Sequence, residues 1–174
     1  MSRLTAAKLL FLLTFLFGLA GIILFNGREN AGSFDYFELE RVLILASWLM
    51  AVAGAALLVG VGSRLRRPAL LVTGAVLLAI GALMAAIAEL SLLTREFRVA
   101  SVWGMAFASL LFVGGALTGS GLLSNRLVPS WIAWTVTGWN ILLWVALLVV
   151  SREDMYYPGL HYIPLLLIGI SIRP

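Results

Sequence analysis

Ser63-Arg64-Leu65-Arg66-Arg67-Pro68 is a short basic hinge between two long runs, Val42–Val61 and Ala69–Ala88, that carry no charged side chain. Three arginines in so short a loop are not drawn through a bilayer, so the hinge pins the chain to one side of a membrane. Pro68 lacks the backbone donor that the first turn of a helix would leave unused, and so starts the next helix cleanly. The flanking runs then read as a pair of antiparallel transmembrane helices. The rest of the chain takes its place around them.

Composition agrees. Of 174 residues, 62% are hydrophobic and 11% charged, and the mean hydropathy is +1.06. A soluble domain carries about a quarter charged residues, which excludes a water-soluble fold. The net charge of +4 arises from loop arginines, and membrane topology accounts for it without a nucleic-acid partner. The chain has no cysteine, hence no disulfide, thiolate nucleophile or cysteine-bound metal.

Outward from the hinge, the apolar runs predict an all-α membrane protein of six transmembrane helices, at about 5–25, 42–61, 69–88, 99–123, 131–150 and 155–172. The first run is too long for a signal-peptide core, lacks an Ala-x-Ala cleavage site, and reads as a retained span. In the loop Asn26–Arg41, Ser33 is placed to cap a short helix with Asp35 in its first turn, and Phe34, Tyr36 and Phe37 to lie among headgroups. Glu89 ends the third span, where Arg95 or Arg98 is the expected partner, and Ser151–Gly159 is an acidic, aromatic loop. The last segment is the shortest, with Pro164 near its start. It is expected to be a kinked sixth span, a re-entrant or interfacial segment being the alternative. The early end at Arg173-Pro174 leaves open that the natural chain continues.

Charge placement orients the bundle. With both termini cytoplasmic, the inner segments hold Arg3, Lys8, Arg64, Arg66, Arg67, Arg126 and Arg173 without an acid, and the outer loops hold all eight acids. The excess of Lys and Arg inside fits a bacterial cytoplasmic membrane, with Arg64, Arg66 and Arg67 as the topological determinants.

Two stretches, "SRLRRPALLVTGAVLLAIGALMAAIAEL" and "GLLSNRLVPSWIAWTVTGW", resemble a family of uncharacterised bacterial six-helix membrane proteins known only as a domain of unknown function. That family has a Ser-Arg-x-hydrophobic-Pro-x-Trp turn like the one in the second stretch. The resemblance covers about the middle half of the chain. It implies a six-helix bundle and supplies no activity, substrate or site.

Asn140 stands near the middle of the fifth span, where a carboxamide must find a partner, with Thr137 at i−3 and Trp144 at i+4 on its face. These residues serve either interhelical hydrogen bonding or the polar end of a pocket for a lipid, quinone or pigment. Trp131 and Trp134 read as interfacial anchors. Gly115-x-x-x-Gly119 and Ala56-x-x-x-Gly60 have the spacing that lets helices approach closely. His161, the single histidine, follows Pro158-Gly159 and is expected at the outer surface, as an exposed or structural residue or as a ligand to one cofactor.

No nucleophile–base set, phosphate loop or zinc motif can be assembled, and no ionisable residue falls in the middle of a predicted span. The expectation is a non-catalytic accessory or scaffold subunit of a larger membrane complex, contacting the bilayer and other membrane subunits. The alternative is binding or passage of a small hydrophobic ligand around Asn140. A weaker third reading is an outer-surface enzyme using Glu89 and His161.

Overall fold

The computed structural model describes residues 2–31, 36–94, 97–149 and 157–173, with the side chains at 28–31, 97–103 and 157–158 outside that description. Expectations for Ser33, Phe34, Asp35, Arg95, Arg98 and the acidic loop around Glu153 and Asp154 therefore lie outside the described residues. Among the described residues five long helices are apolar enough to cross a membrane: α1 (Arg3–Ala31), α2 (Phe37–Gly62), α3 (Pro68–Leu93), α4 (Phe97–Ser124) and α5 (Ser130–Val149). A 3₁₀ turn, Tyr157–His161, leads into the short α6 (Tyr162–Ser171).

Helix ends follow local chemistry. Ser2 Oγ accepts the Thr5 N–H at 3.1 Å and caps α1. Glu38 and Glu40 occupy the first turn of α2, where acids complement the helix dipole, so α2 begins earlier than the expected span. Pro68 occupies the first turn of α3, as the hinge predicts.

The helices pack in chain order, α1 on α2, α2 on α3, α3 on α4 and α4 on α5, and α6 closes the ring against α1 and α5. Backbone approach is closest between α3 and α4. A Cβ on Gly81 would stand 2.8 Å from Leu111 N, one on Gly114 2.5 Å from Leu78 N, and one on Gly121 2.5 Å from Leu71 N, while Gly74 fits against Thr118. Interhelical attraction between apolar helices in lipid is mainly packing, so this glycine contact is what makes the pair close.

The expected close approach at Ala56-x-x-x-Gly60 is not found. Ala56 is exposed, and a Cβ at Gly60 would meet only the Arg3 guanidinium, at 3.1 Å. The buried stripe of α2 runs instead through Ala51, Gly54, Ala55 and Leu58, with Gly54 against Phe11. Spacing alone does not tell which of two small-residue stripes faces a neighbour.

The sixth segment also differs from a span over 155–172. α6 has 10 residues, roughly 15 Å at 1.5 Å per residue, against a hydrocarbon core of about 30 Å. It occupies the half of the bundle nearest the hinge, where Arg173 N–H bonds to Leu127 C=O at 3.0 Å. The 3₁₀ turn that precedes it enters the bundle itself. Irregular backbone is tolerated at such depth where protein groups satisfy it, and Trp139 Nε1–H does so for the Leu160 carbonyl at 3.1 Å.

Two substitutions separate the glycines that packing requires from those it does not. Gly121→Val should lower the melting temperature in detergent, by an overpacking cost of about 1–3 kcal/mol. Gly138, whose Cβ position meets nothing within 4 Å, should accept alanine with a gain of up to about 1 kcal/mol.

Candidate functional site

The site grows from Asn140, the eleventh residue of the 20-residue α5. Its Nδ2 donates to Val136 C=O at 2.8 Å, which leaves Oδ1 as an acceptor. His161 Nδ1 lies 2.7 Å from that oxygen, and both residues are fully buried. The network assigns the proton to Nδ1, and His161 Nε2 is buried without a hydrogen-bond partner among the described residues. Gly115 of α4 makes room for the pair: a Cβ there would stand 2.6 Å from Asn140 Oδ1 and 2.7 Å from His161 Cε1. The Phe112 ring, one turn earlier on α4, lies 6.0 Å from the imidazole, tilted at 54°.

His161 is thus not at an outer surface. Its ring lies inside the bundle, and the bond to Asn140 offsets part of the cost of burying it. Pro158-Gly159 reads locally as a surface turn, and only the partners on α5 reveal its depth.

One turn toward the hinge, Thr137 is buried against Gly119, with its Oγ1 3.5 Å from Ser120 Oγ and 3.4 Å from Ala116 C=O. Gly115 and Gly119 therefore face the polar side of α5. Asn140, Thr137, Ser120, Ile141 and Trp144 line a cleft of about 250 Å³ between α4 and α5, with Phe112 at its wall. Trp144 is 37% exposed and forms its rim, whereas His161 is not among the walls and connects to the cleft through Asn140. A second cleft of about 460 Å³ lies between α1 and α6, walled by Phe15, Leu19, Ile22, Tyr162 and Ile163.

Sequence reasoning missed two further polar assemblies. Ser47 Oγ donates to Ile44 C=O at 2.7 Å, so it accepts the Tyr162 hydroxyl, also at 2.7 Å. Trp48 stacks on the Tyr162 ring at 4.9 Å, and Gly18 of α1 leaves space for that ring. At the end away from the hinge, Arg41 Nη2 pairs with Glu40 at 2.9 Å and Nη1 with Glu89 at 3.0 Å. These side chains are 6%, 0% and 15% exposed, and the guanidinium lies 5.4 Å from the Phe37 ring centre. Glu40 and Arg41 belong to α2 and not to the loop expected over Asn26–Arg41. Helix α2 begins before them and turns them inward, which gives Glu89 a partner on a neighbouring helix.

Glu89 and His161, paired in the outer-surface enzyme reading, are committed to Arg41 and Asn140 respectively. Among the described residues no group of three or more His, Asp or Glu side chains is arranged to hold a metal ion.

Gly115→Ala should push His161 away from Asn140 and destabilise the fold by about 1–3 kcal/mol, read as a lower melting temperature in detergent. Arg41→Leu should cost more, about 3–5 kcal/mol, because two carboxylates lose their buried partner; adding Glu89→Gln should recover part of that loss.

No family model, no curated protein and no solved structure matches this chain, and the function is argued from the geometry of the site.

Proposed function

We propose that this integral membrane protein binds a small hydrophobic ligand bearing a carbonyl or hydroxyl head, of the lipid, quinone or pigment class, in the cleft between α4 and α5. One observation carries the reading: Asn140 is a wall of that cleft and is also held rigidly from behind by His161. A carboxamide nitrogen has two hydrogens, and the Val136 bond uses one. The other becomes available to a carbonyl oxygen once the side chains in front of the buried Asn140 part, while Thr137 and Ser120, whose hydrogens go to Ala116 C=O, offer hydroxyl oxygens as acceptors and Trp144 an indole face. A largely apolar concavity with a few convergent polar groups is the usual form of a small-molecule site. The reading is non-catalytic.

The accessory-subunit reading rested on a bundle without buried charge. The buried Glu40–Arg41–Glu89 cluster lies at the end of the bundle away from the hinge and does not bear on whether partner subunits bind, so that reading stands as the alternative. In the orientation that accompanies it, the basic hinge end and both termini face the cytoplasm of a bacterial cell, by the inside excess of Lys and Arg.

Extraction from the native membrane in mild detergent, followed by mass spectrometry and visible spectroscopy, tests this. The wild type should carry a lipid-soluble ligand. Trp144→Ala, which alters the rim, and Asn140→Leu, which removes the polar contact, should each lose it at least in part while keeping their helical circular dichroism. Asn140→Leu should also melt lower by about 1–3 kcal/mol, because His161 loses its partner. A wild type with nothing bound, or full retention in both variants, would overturn the proposal.

A further inference from the structure

The structure assigns the hinge end a binding site for the headgroup of an anionic phospholipid, built from Arg67, Asn125, Arg126 and Arg173. These residues are far apart in sequence, and two hydrogen bonds tie their segments together. Asn125 Nδ2 donates to Arg67 C=O at 2.9 Å, and Arg173 N–H donates to Leu127 C=O at 3.0 Å. The three arginines are exposed, and the stretches 60–70, 121–134 and 171–174 contain no acid. Among the described residues no carboxylate side chain is paired with them.

The backbone at Arg126 is a second, independent sign. α4 ends with Leu127 N–H on Leu122 C=O at 3.0 Å and Arg126 N–H on Leu123 C=O at 3.1 Å, the Schellman arrangement. Its left-handed position, at φ 55°, is normally glycine or asparagine, yet an arginine occupies it at a steric cost of roughly 1–2 kcal/mol. A stability optimum would not keep a β-carbon there. The side chain it retains is a cation on the residue next to Asn125, whose amide holds the Arg67 carbonyl.

The headgroup is lipid-borne because of what surrounds it. Trp131 and Trp134, 65% and 64% exposed, follow directly on the first turns of α5, and indoles on such a helix end lie at headgroup level. The N-cap of α3 is Arg67 itself, with no side-chain cap and no acid in the first turn, so its amides add to the attraction for a phosphate oxygen. Basic clusters between helix ends at the membrane surface are suited to anionic lipid headgroups.

The test uses the purified full chain in neutral detergent, with melting temperature followed against added phosphatidylglycerol, phosphatidylcholine or inorganic phosphate. Phosphatidylglycerol should stabilise saturably, and the other two should not. Arg67→Gln and Arg173→Gln should each weaken its apparent affinity about fivefold. Asn125→Ala, which keeps every charge, should weaken it too. Arg126→Gly should raise the lipid-free melting temperature while lowering affinity, opposite signs that a purely structural arginine would not produce. The control Arg3→Gln, at the α1–α2 side of the same end, should change affinity less than twofold. Equal stabilisation by phosphatidylcholine overturns the proposal, as does full replacement by inorganic phosphate. So does an Asn125→Ala variant that binds like the wild type, or an Arg3→Gln variant that loses as much as Arg67→Gln, since either reduces the cluster to diffuse basic charge.

Discussion

The hydrogen bond between His161 and Asn140, 2.7 Å long and fully buried, is the contact on which the closure of the bundle depends. α6 is too short to cross a membrane, and the 3₁₀ turn Tyr157–His161 that leads into it brings His161 inside the bundle. In hydrocarbon, each polar group of such a segment needs a protein partner. Trp139 satisfies the Leu160 carbonyl and Asn140 takes the imidazole, both from the face of α5 turned toward the 3₁₀ turn. Gly115 supplies the space on the opposite wall. Tyr162, the next residue, anchors the other side through Ser47 and Trp48. Two consecutive residues thereby lock α6 to α1, α2, α4 and α5.

The same arrangement explains why the interior of a strongly apolar chain is not uniformly apolar. Beside the buried Thr14, Ser91 and Thr118, polar side chains form three assemblies: the Glu40–Arg41–Glu89 cluster at the end away from the hinge, Ser47 with Tyr162, and His161 with Asn140 and Thr137. Each is partnered across helices, and removing one member of a buried pair costs more than the pair contributes as a whole. The ligand reading follows from this economy. Asn140 belongs both to a partnered assembly and to the lining of a cleft, as Tyr162 does at the second cleft.

Glycine does different work at different heights of α4. Gly114 and Gly121 let its backbone meet α3, whereas Gly115 and Gly119 make room for the polar side chains of α5. One helix thus carries a packing seam and a polar seam side by side. A Gly-x-x-x-Gly spacing identifies neither, because it reports only that two small residues share a face.

The hydropathy pattern, by itself, determined the class of the molecule: long apolar runs separated by the basic hinge, by the turn Ser124–Ser130 and by the polar stretches Asn26–Arg41 and Ser91–Arg98. These boundaries are legible because transfer free energy and turn chemistry act locally along the chain. The polar face of Asn140, Thr137 and Trp144 was legible for the same reason, being set by helical periodicity. The depth of His161, the burial of Glu40 and Arg41, the partner of Glu89 and the exposure of Ala56 were decided by tertiary structure alone. Each depends on which neighbouring helix stands opposite. A histidine after Pro-Gly or an acid at a helix end has the same local sequence whether it meets water or a partner, and only packing supplies the difference.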